Sequence, residues 1–196
     1  MPIVLRQDVQ LARLISRIEH GANRAKQIVR GISDEALVWR PPEGGWGIGH
    51  YLEHAIATAD PHLEYLPPVI KKGVVRHRFA KNGRWKVSLR GGIVRWTIGA
   101  SPRSLRLARM PTPGADVVKR FLARQKEVGD LLRSADGLRL DRIHCRMGGL
   151  VWWRLADACT LLVTRTERDL AGAREVREHP DFPVNARQRS EVKHRD

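Results

Sequence analysis

Two histidines one helical turn apart are the first residues in this chain whose types and spacing could do chemistry. They stand in His50-Tyr51-Leu52-Glu53-His54, just after the Pro/Gly-broken stretch Trp39-Arg40-Pro41-Pro42-Glu43-Gly44-Gly45-Trp46. Positions i and i+4 share a helix face, and imidazole suits zinc, nickel and iron alike, so His50 and His54 have a usable two-ligand spacing. Against that, His50 begins its helix, where a side chain can simply face solvent or cap its neighbours. A second pair, Arg165-x-x-x-Asp169, lies on a late helical stretch. Guanidinium stays protonated and offers only donors, so Arg165 cannot ligate a metal. At i, i+4 it can pair with Asp169 instead.

Other reactive side chains fare worse. Glu53 beside His54 points to a different helix face and reads as a surface charge, and Glu167, two residues from both Arg165 and Asp169, faces elsewhere too. Cys159 lies in an apolar stretch and reads as a small core residue. Cys145 sits in Arg142-Ile143-His144-Cys145-Arg146, where flanking positive charge could lower its pKa, although a structural role is the favoured reading. No Ser/His/Asp order, glycine-rich phosphate loop or paired-acid site is present. Trp39, Trp46, Trp152 and Trp153 read as core or helix-end anchors, because large rings dominate burial.

The elements that must position these residues are helical. Leu11, Leu14, Ile15, Ile18, Ala22, Ala25, Ile28 and Val29 recur at helical spacing, which predicts an amphipathic helix over about residues 5–30. Gly31 ends it, and Ser33 with Asp34 and Glu35 can cap a short following turn. Arg40-Pro41-Pro42 breaks the chain. A second long helix is predicted from about Gly47 to Tyr65, with Pro61 marking a kink or an end and Pro67-Pro68 a stop. Residues 69–112 show no clean period and read as a long, largely irregular crossover. A third helix carries Val117, Phe121, Leu122, Val128 and Leu132 to about Ser134, and a linker through Gly137 and Gly148-Gly149 leads to a fourth over about 151–178. Such a helix is ~40 Å long, enough to line a bundle. The expected fold is all-α: an antiparallel four-helix bundle with one long crossover between its second and third helices. Residues 1–183 are expected to form a single domain, and 184–196 a polar, flexible tail.

Composition narrows the class. At 196 residues the chain can bury one good core and is too short for two comfortable domains. Its apolar runs fall short of the ~18 residues that would cross a bilayer, and its start lacks a signal peptide's basic and apolar regions. With two cysteines and no CxxC spacing, neither a disulfide framework nor a cysteine zinc site is supported. The expectation is a reduced, cytoplasmic protein. The net charge of +15 is local: residues 65–115 contain no acid but hold 12 of the 36 Lys and Arg. Lys71, Lys72, Arg76, Arg78, Lys81, Arg84 and Lys86, interleaved with Phe79 and Trp85, could meet phosphates. No helix-turn-helix, RNA-binding or zinc-finger pattern accompanies the 71–109 segment, so nucleic acid is not the expected partner.

Several of these motifs together resemble the DinB-like family of bacterial four-helix-bundle proteins. They are Ser33-Asp34-Glu35 through Trp39-Arg40-Pro41, Trp46-x-Ile48, and the closing His179-Pro180-Asp181-Phe182-Pro183. The resemblance covers about Leu11 to Pro183 and implies the same bundle. It also implies a divalent-metal site held by three histidines, at positions matching His54, Arg165 and Asp169 here. Two of the three ligands are therefore replaced. The leading expectation is a metal-free, degenerate site in which Arg165 and Asp169 pair and His54 joins them, with no cofactor. The rival is a rearranged zinc or nickel site on His50, His54 and Asp169, a two-histidine, one-carboxylate set. The family's metal-dependent thiol transferases imply ancestry in that chemistry. The expected function is that of a non-catalytic protein binding a small anionic ligand or a partner, forming a homodimer and keeping clear of membranes. The alternatives are a metal-dependent thiol transferase or hydrolase, and a nucleic-acid-associated protein.

Overall fold

A computed structural model of the chain describes residues 9–79, 113–146 and 152–183. It is an all-α bundle with one small β-hairpin. The elements are α1 (Val9–Ile28), α2 (Asp34–Val38), α3 (Ile48–Val75), α4 (Val117–Ser134), β1 (His144–Arg146), β2 (Trp152–Arg154) and α5 (Leu155–Arg177). The apolar period of α1 is the one that the sequence shows: Leu11, Leu14, Ile18, Ala25 and Ile28 all face inward. Ser33 caps α2 by accepting a hydrogen bond from the Ala36 amide at 3.2 Å.

The second long helix overruns its expected end. α3 continues through Pro61, Pro67 and Pro68 as far as Val75, which removes the first seven residues of the expected irregular crossover. All three prolines are exposed, while Leu66, Ile70 and Gly73 face the core. The carbonyls that the prolines deprive of donors therefore lie on the wet side of the helix. Burial of the opposite face outweighs the breaks. Residues 80–112, the rest of the expected crossover, lie outside the described residues, as does the expected tail 184–196.

Helix directions follow from cross-helix pairs. Arg120 meets Glu53 and Arg124 meets Asp60, so α3 and α4 run parallel. His54 meets Asp169 and Tyr51 meets Gly172, so α3 and α5 run antiparallel. Arg17 meets Glu167 and Gly21 meets Leu170, so α1 and α5 run parallel. The consecutive helices α3 and α4 thus point the same way, an arrangement that calls for a long crossover rather than a short loop.

The hairpin stands where the sequence predicts a linker, at β1, and the start of the fourth helix, at β2. β1 and β2 pair antiparallel, with Cys145 opposite Trp153 and Arg146 opposite Trp152. The fourth helix accordingly begins at Leu155. Cys145 and Cys159 are buried in the core, and no helix among the described residues is long and apolar enough to cross a membrane.

The core is two apolar clusters stacked end to end. One holds Leu11, Leu14, Leu66, Ile70, Leu132, Leu155 and Cys159; the other holds Ile28, Leu52, Ile56, Phe121, Leu170 and Phe182. Between them α4 contributes buried Gln125 and α5 contributes buried Thr166 and Asp169, with His62 of α3 nearby in sequence to the junction. A polar layer thus divides the bundle.

Candidate functional site

The chain reaches the site through the turn that the sequence singled out. Gly44 and Gly45 have φ of 92° and 125°, a left-handed region that favours glycine. Gly47, at the start of α3, packs so closely that a Cβ there would lie 2.3 Å from the Trp39 carbonyl oxygen. The turn drives Trp46 into the protein, where its ring centroid is 4.9 Å from His54 and 5.2 Å from Tyr51. Trp46 is therefore an anchor, and also one wall of the space around His54. Trp39 packs edge-on against Phe182. Trp152, by contrast, is exposed and no anchor of the core.

His54 and Asp169 form the centre. The Nδ1–H of His54 donates to both carboxylate oxygens of Asp169, at 3.0 and 2.9 Å. Asp169 is buried, whereas the His54 side chain is 24% exposed. With Nδ1 held by the carboxylate, Nε2 is the nitrogen left to act as acceptor or proton carrier. Burial pushes the Asp169 carboxyl up from its ordinary value, and the hydrogen bond and charge of His54, then Arg168 and Arg165, pull it back. Tyr51 lies alongside, accommodated by Gly172: a Cβ at that glycine would sit 2.5 Å from the Tyr51 ring.

Arg165 behaves differently from the expectation. No hydrogen bond or ion pair joins it to Asp169, whose carboxylate accepts from His54 across the bundle instead. It is half-buried, and its electrostatic neighbours include Asp169, Arg168 and, from α3, His62. Burial pulls its pKa down while Asp169 resists.

His50 neither faces solvent nor approaches a metal set. It is buried, and Arg40 donates to its Nε2 at 2.6 Å. Burial, then the charge of Arg40, lowers its pKa. Its Nδ1 is buried without a hydrogen-bond partner among the described residues. An imidazole nitrogen occupied by a guanidinium is a poor metal donor, so the alternative set of His50, His54 and Asp169 is not assembled. The metal that the family implies does not fit these donors. His54 Nε2 and Asp169 make at most two donors, Arg165 at the third position cannot ligate, and its charge adds a cation to their field. Among the described residues no three His, Cys, Asp or Glu side chains group as metal ligands.

The other candidates also have definite places. Glu53 is no free surface charge: Arg120 of α4 donates to both its oxygens at 3.0 and 2.7 Å. Glu167 faces α1 and accepts from Arg17 Nε at 2.7 Å. The basic residues around Cys145 do not activate it, since burial pushes its thiol up to about 11, and that of Cys159 to about 12. Sequence reasoning missed the Arg40–His50 bond and the Trp46 and Tyr51 walls. The run from Trp39 to His54 contained all of these residues, but spacing alone does not show how a turn folds back.

A profile of the DinB superfamily matches residues 17–164. The match includes His54 and stops one residue short of Arg165, so the two substituted ligand positions lie beyond it. Searches of curated proteins and of solved structures found no match. The profile spans about three-quarters of the sequence, and the chain belongs to the DinB superfamily.

Proposed function

We propose that this protein is a DinB-superfamily bundle whose metal position has become a His54–Asp169 pair, and that it works in the cytoplasm as a non-catalytic binder of a small anionic ligand. One observation carries the reading: His54 Nδ1 is engaged by both oxygens of Asp169. That bond satisfies a buried carboxylate without an ion. It also releases Arg165 from its expected partner, leaving a half-buried guanidinium that can offer paired donors to a carboxylate or phosphate. His54, partly exposed and flanked by the Trp46 ring, leaves its Nε2 available as a second polar group.

The hydrolase or transferase alternative draws no comparable support. A carboxylate-oriented imidazole can serve as a base, but that alternative rests on a metal held by His50, His54 and Asp169, and the His50 Nε2 accepts from Arg40 instead.

Calorimetry tests the proposal. Phosphate and short dicarboxylates should bind the wild type and lose affinity about tenfold or more in Arg165→Gln, the scale of one charge-assisted bond. Zinc and nickel should bind tightly only after Arg165→His with Asp169→His restores imidazoles at both positions. Stoichiometric, tight zinc or nickel binding by the wild type would overturn the reading.

A further inference from the structure

The end of the bundle remote from His54 carries an excess of positive charge. There the C-terminal turn of α3 meets the segment that leads into the hairpin. The Arg139 amide donates to the Arg78 carbonyl at 2.8 Å, and Phe79 forms a bridge with Leu138. Gly73 permits the approach, since a Cβ there would lie 2.8 Å from Ile143 Cδ1. Segments some seventy residues apart in sequence thus meet, and both carry exposed cations: Lys71, Lys72, Arg76 and Arg78 on one, Arg142 and Arg146 on the other.

Strand register arranges the hairpin's two faces. Cys145 is buried opposite half-buried Trp153, so the residues alternating with them stand on the outer face. That face pairs His144 with Arg154 and Arg146 with Trp152. Trp152 is 61% exposed, and the Arg146 guanidinium lies 5.5 Å from its ring centroid. Phe79, 48% exposed, adds a second ring beside the α3 cations.

Counter-charge is scarce here. Asp141 is already met by Arg139 at 3.3 Å and by Arg142 at 4.0 Å. Residues 65–115 and 142–156 contain no acid. Lys71, Lys72, Arg76 and Arg78 have no acidic partner among the described residues. Elsewhere on the bundle arginines stand in ion pairs, as Arg17 does with Glu167, Arg120 with Glu53 and Arg124 with Asp60. Like charges held together without partners repel one another, and a bound polyanion would relieve that repulsion.

We propose that this end of the bundle is a binding surface for single-stranded nucleic acid, with phosphates on the α3 and hairpin cations and bases stacked on Trp152 and Phe79. Exposed ring faces favour a single strand, because unstacked bases present their faces while a duplex presents edges. A membrane surface is the less suitable partner. The aliphatic groups exposed at this end of α3 are Val74 and Val75, a small area for insertion.

The experiment uses the full chain, a labelled ~20-nucleotide oligo-dT, the matching duplex and phosphatidylglycerol vesicles, each over a range of salt. Oligo-dT should bind in preference to duplex. With about four phosphate contacts, its log–log salt slope should be near −3, at ~0.7 per contact for single strands. Trp152→Ala should weaken binding about tenfold or more at unchanged slope, as loss of one stacked base would. Arg76→Ala with Arg78→Ala should instead flatten the slope. Because Trp152 is exposed, its removal should leave the circular dichroism spectrum intact, and Trp152→Phe should retain most of the binding. Oligo-dT affinity unchanged in Trp152→Ala, duplex bound as well as single strand, or binding to vesicles without binding to oligo-dT would each overturn the proposal. So would burial of Trp152 in a homodimer, seen as protein-concentration-dependent loss of its quenching by iodide.

Discussion

Replacing Gln125 by leucine should stabilise this protein. Gln125 sits on α4 between the two apolar clusters, 2% exposed, and neither Oε1 nor Nε2 has a hydrogen-bond partner among the described residues. A buried polar group without a partner costs about 1–3 kcal/mol. Gln125→Leu removes two such atoms and puts methyl groups of similar volume between Phe121 and Val128. Repacking strain for a swap of that kind is typically below about 1.5 kcal/mol. The net expectation is a gain of about 1–3 kcal/mol. For a chain of this size that is a rise in Tm of ~2–12 °C, at ~2–4 °C per kcal/mol. Urea melts followed by far-UV circular dichroism should show the midpoint rising at unchanged slope, so that the gain belongs to the folded state rather than to a changed unfolded one. A loss of about 1 kcal/mol or more would refute the reasoning. It would mean that the amide is bonded within the bundle, through water for example, and that the polar layer is a satisfied network.

Three further outcomes follow from the same geometry. Burial raises the Asp169 carboxyl against the opposing pull of His54, Arg168 and Arg165, so its stabilising contribution is complete below the unfolded value of ~3.9 and is lost as pH rises through the folded one. Asp169→Asn cannot ionise, so urea melts from acid to neutral pH should show its stability relative to wild type improving as pH rises; a constant difference, or the opposite drift, would contradict the shift. Gly172→Ala should cost about 1–2 kcal/mol and alter Trp46 emission, because its Cβ would fall 2.5 Å from the Tyr51 ring that packs on Trp46; thermal melts and fluorescence check this, and an unchanged Tm would refute the contact. Cys145 and Cys159, raised to about 11 and about 12, should resist thiol reagents at pH 8 in the folded protein and react in urea, and a fast native thiol would show that one of them is accessible as thiolate.

How much of the protein was legible in its sequence depended on where burial enforced a period. The apolar stripe of α1 gave that helix to within a few residues, since one face packs along its whole length. Ser33, Gly44 and Gly45 gave the caps and turns, because those residue types answer local backbone demands. The end of α3 was misjudged because proline acts locally while packing acts along the helix. Pro67 and Pro68 face solvent and Ile70 and Gly73 face the core, so the core decided. The hairpin was hidden for a different reason: strands of three residues are too short to show alternation. At the site, i, i+4 spacing brought Arg165 and Asp169 together in the argument, but the bond goes across the bundle to His54. Sequence spacing ranks neighbours on one helix and is silent about a competing partner on the next.

On the proposed reading, that competition is how a metal-binding plan would lose its metal and keep its fold. A buried carboxylate on α5 needs a partner, and a half-exposed imidazole on α3 provides one without the expense of a fully buried ion pair. With the two joined, Arg165 acts on Asp169 through charge and not through a hydrogen bond, so in the proposed reading its donors serve an external anion. The surface at the other end of the bundle is separated from this exchange. His54 and the last turn of α3 lie about twenty residues apart on one helix, or ~30 Å at 1.5 Å per residue. The polar layer and one whole apolar cluster intervene. Over such a distance, with no shared partner, substitutions at the two ends should act additively. Arg165→Gln should leave oligo-dT affinity unaltered, and Trp152→Ala should leave small-anion binding unaltered. The two proposals therefore stand or fall separately, and a protein that failed one test would still be informative in the other.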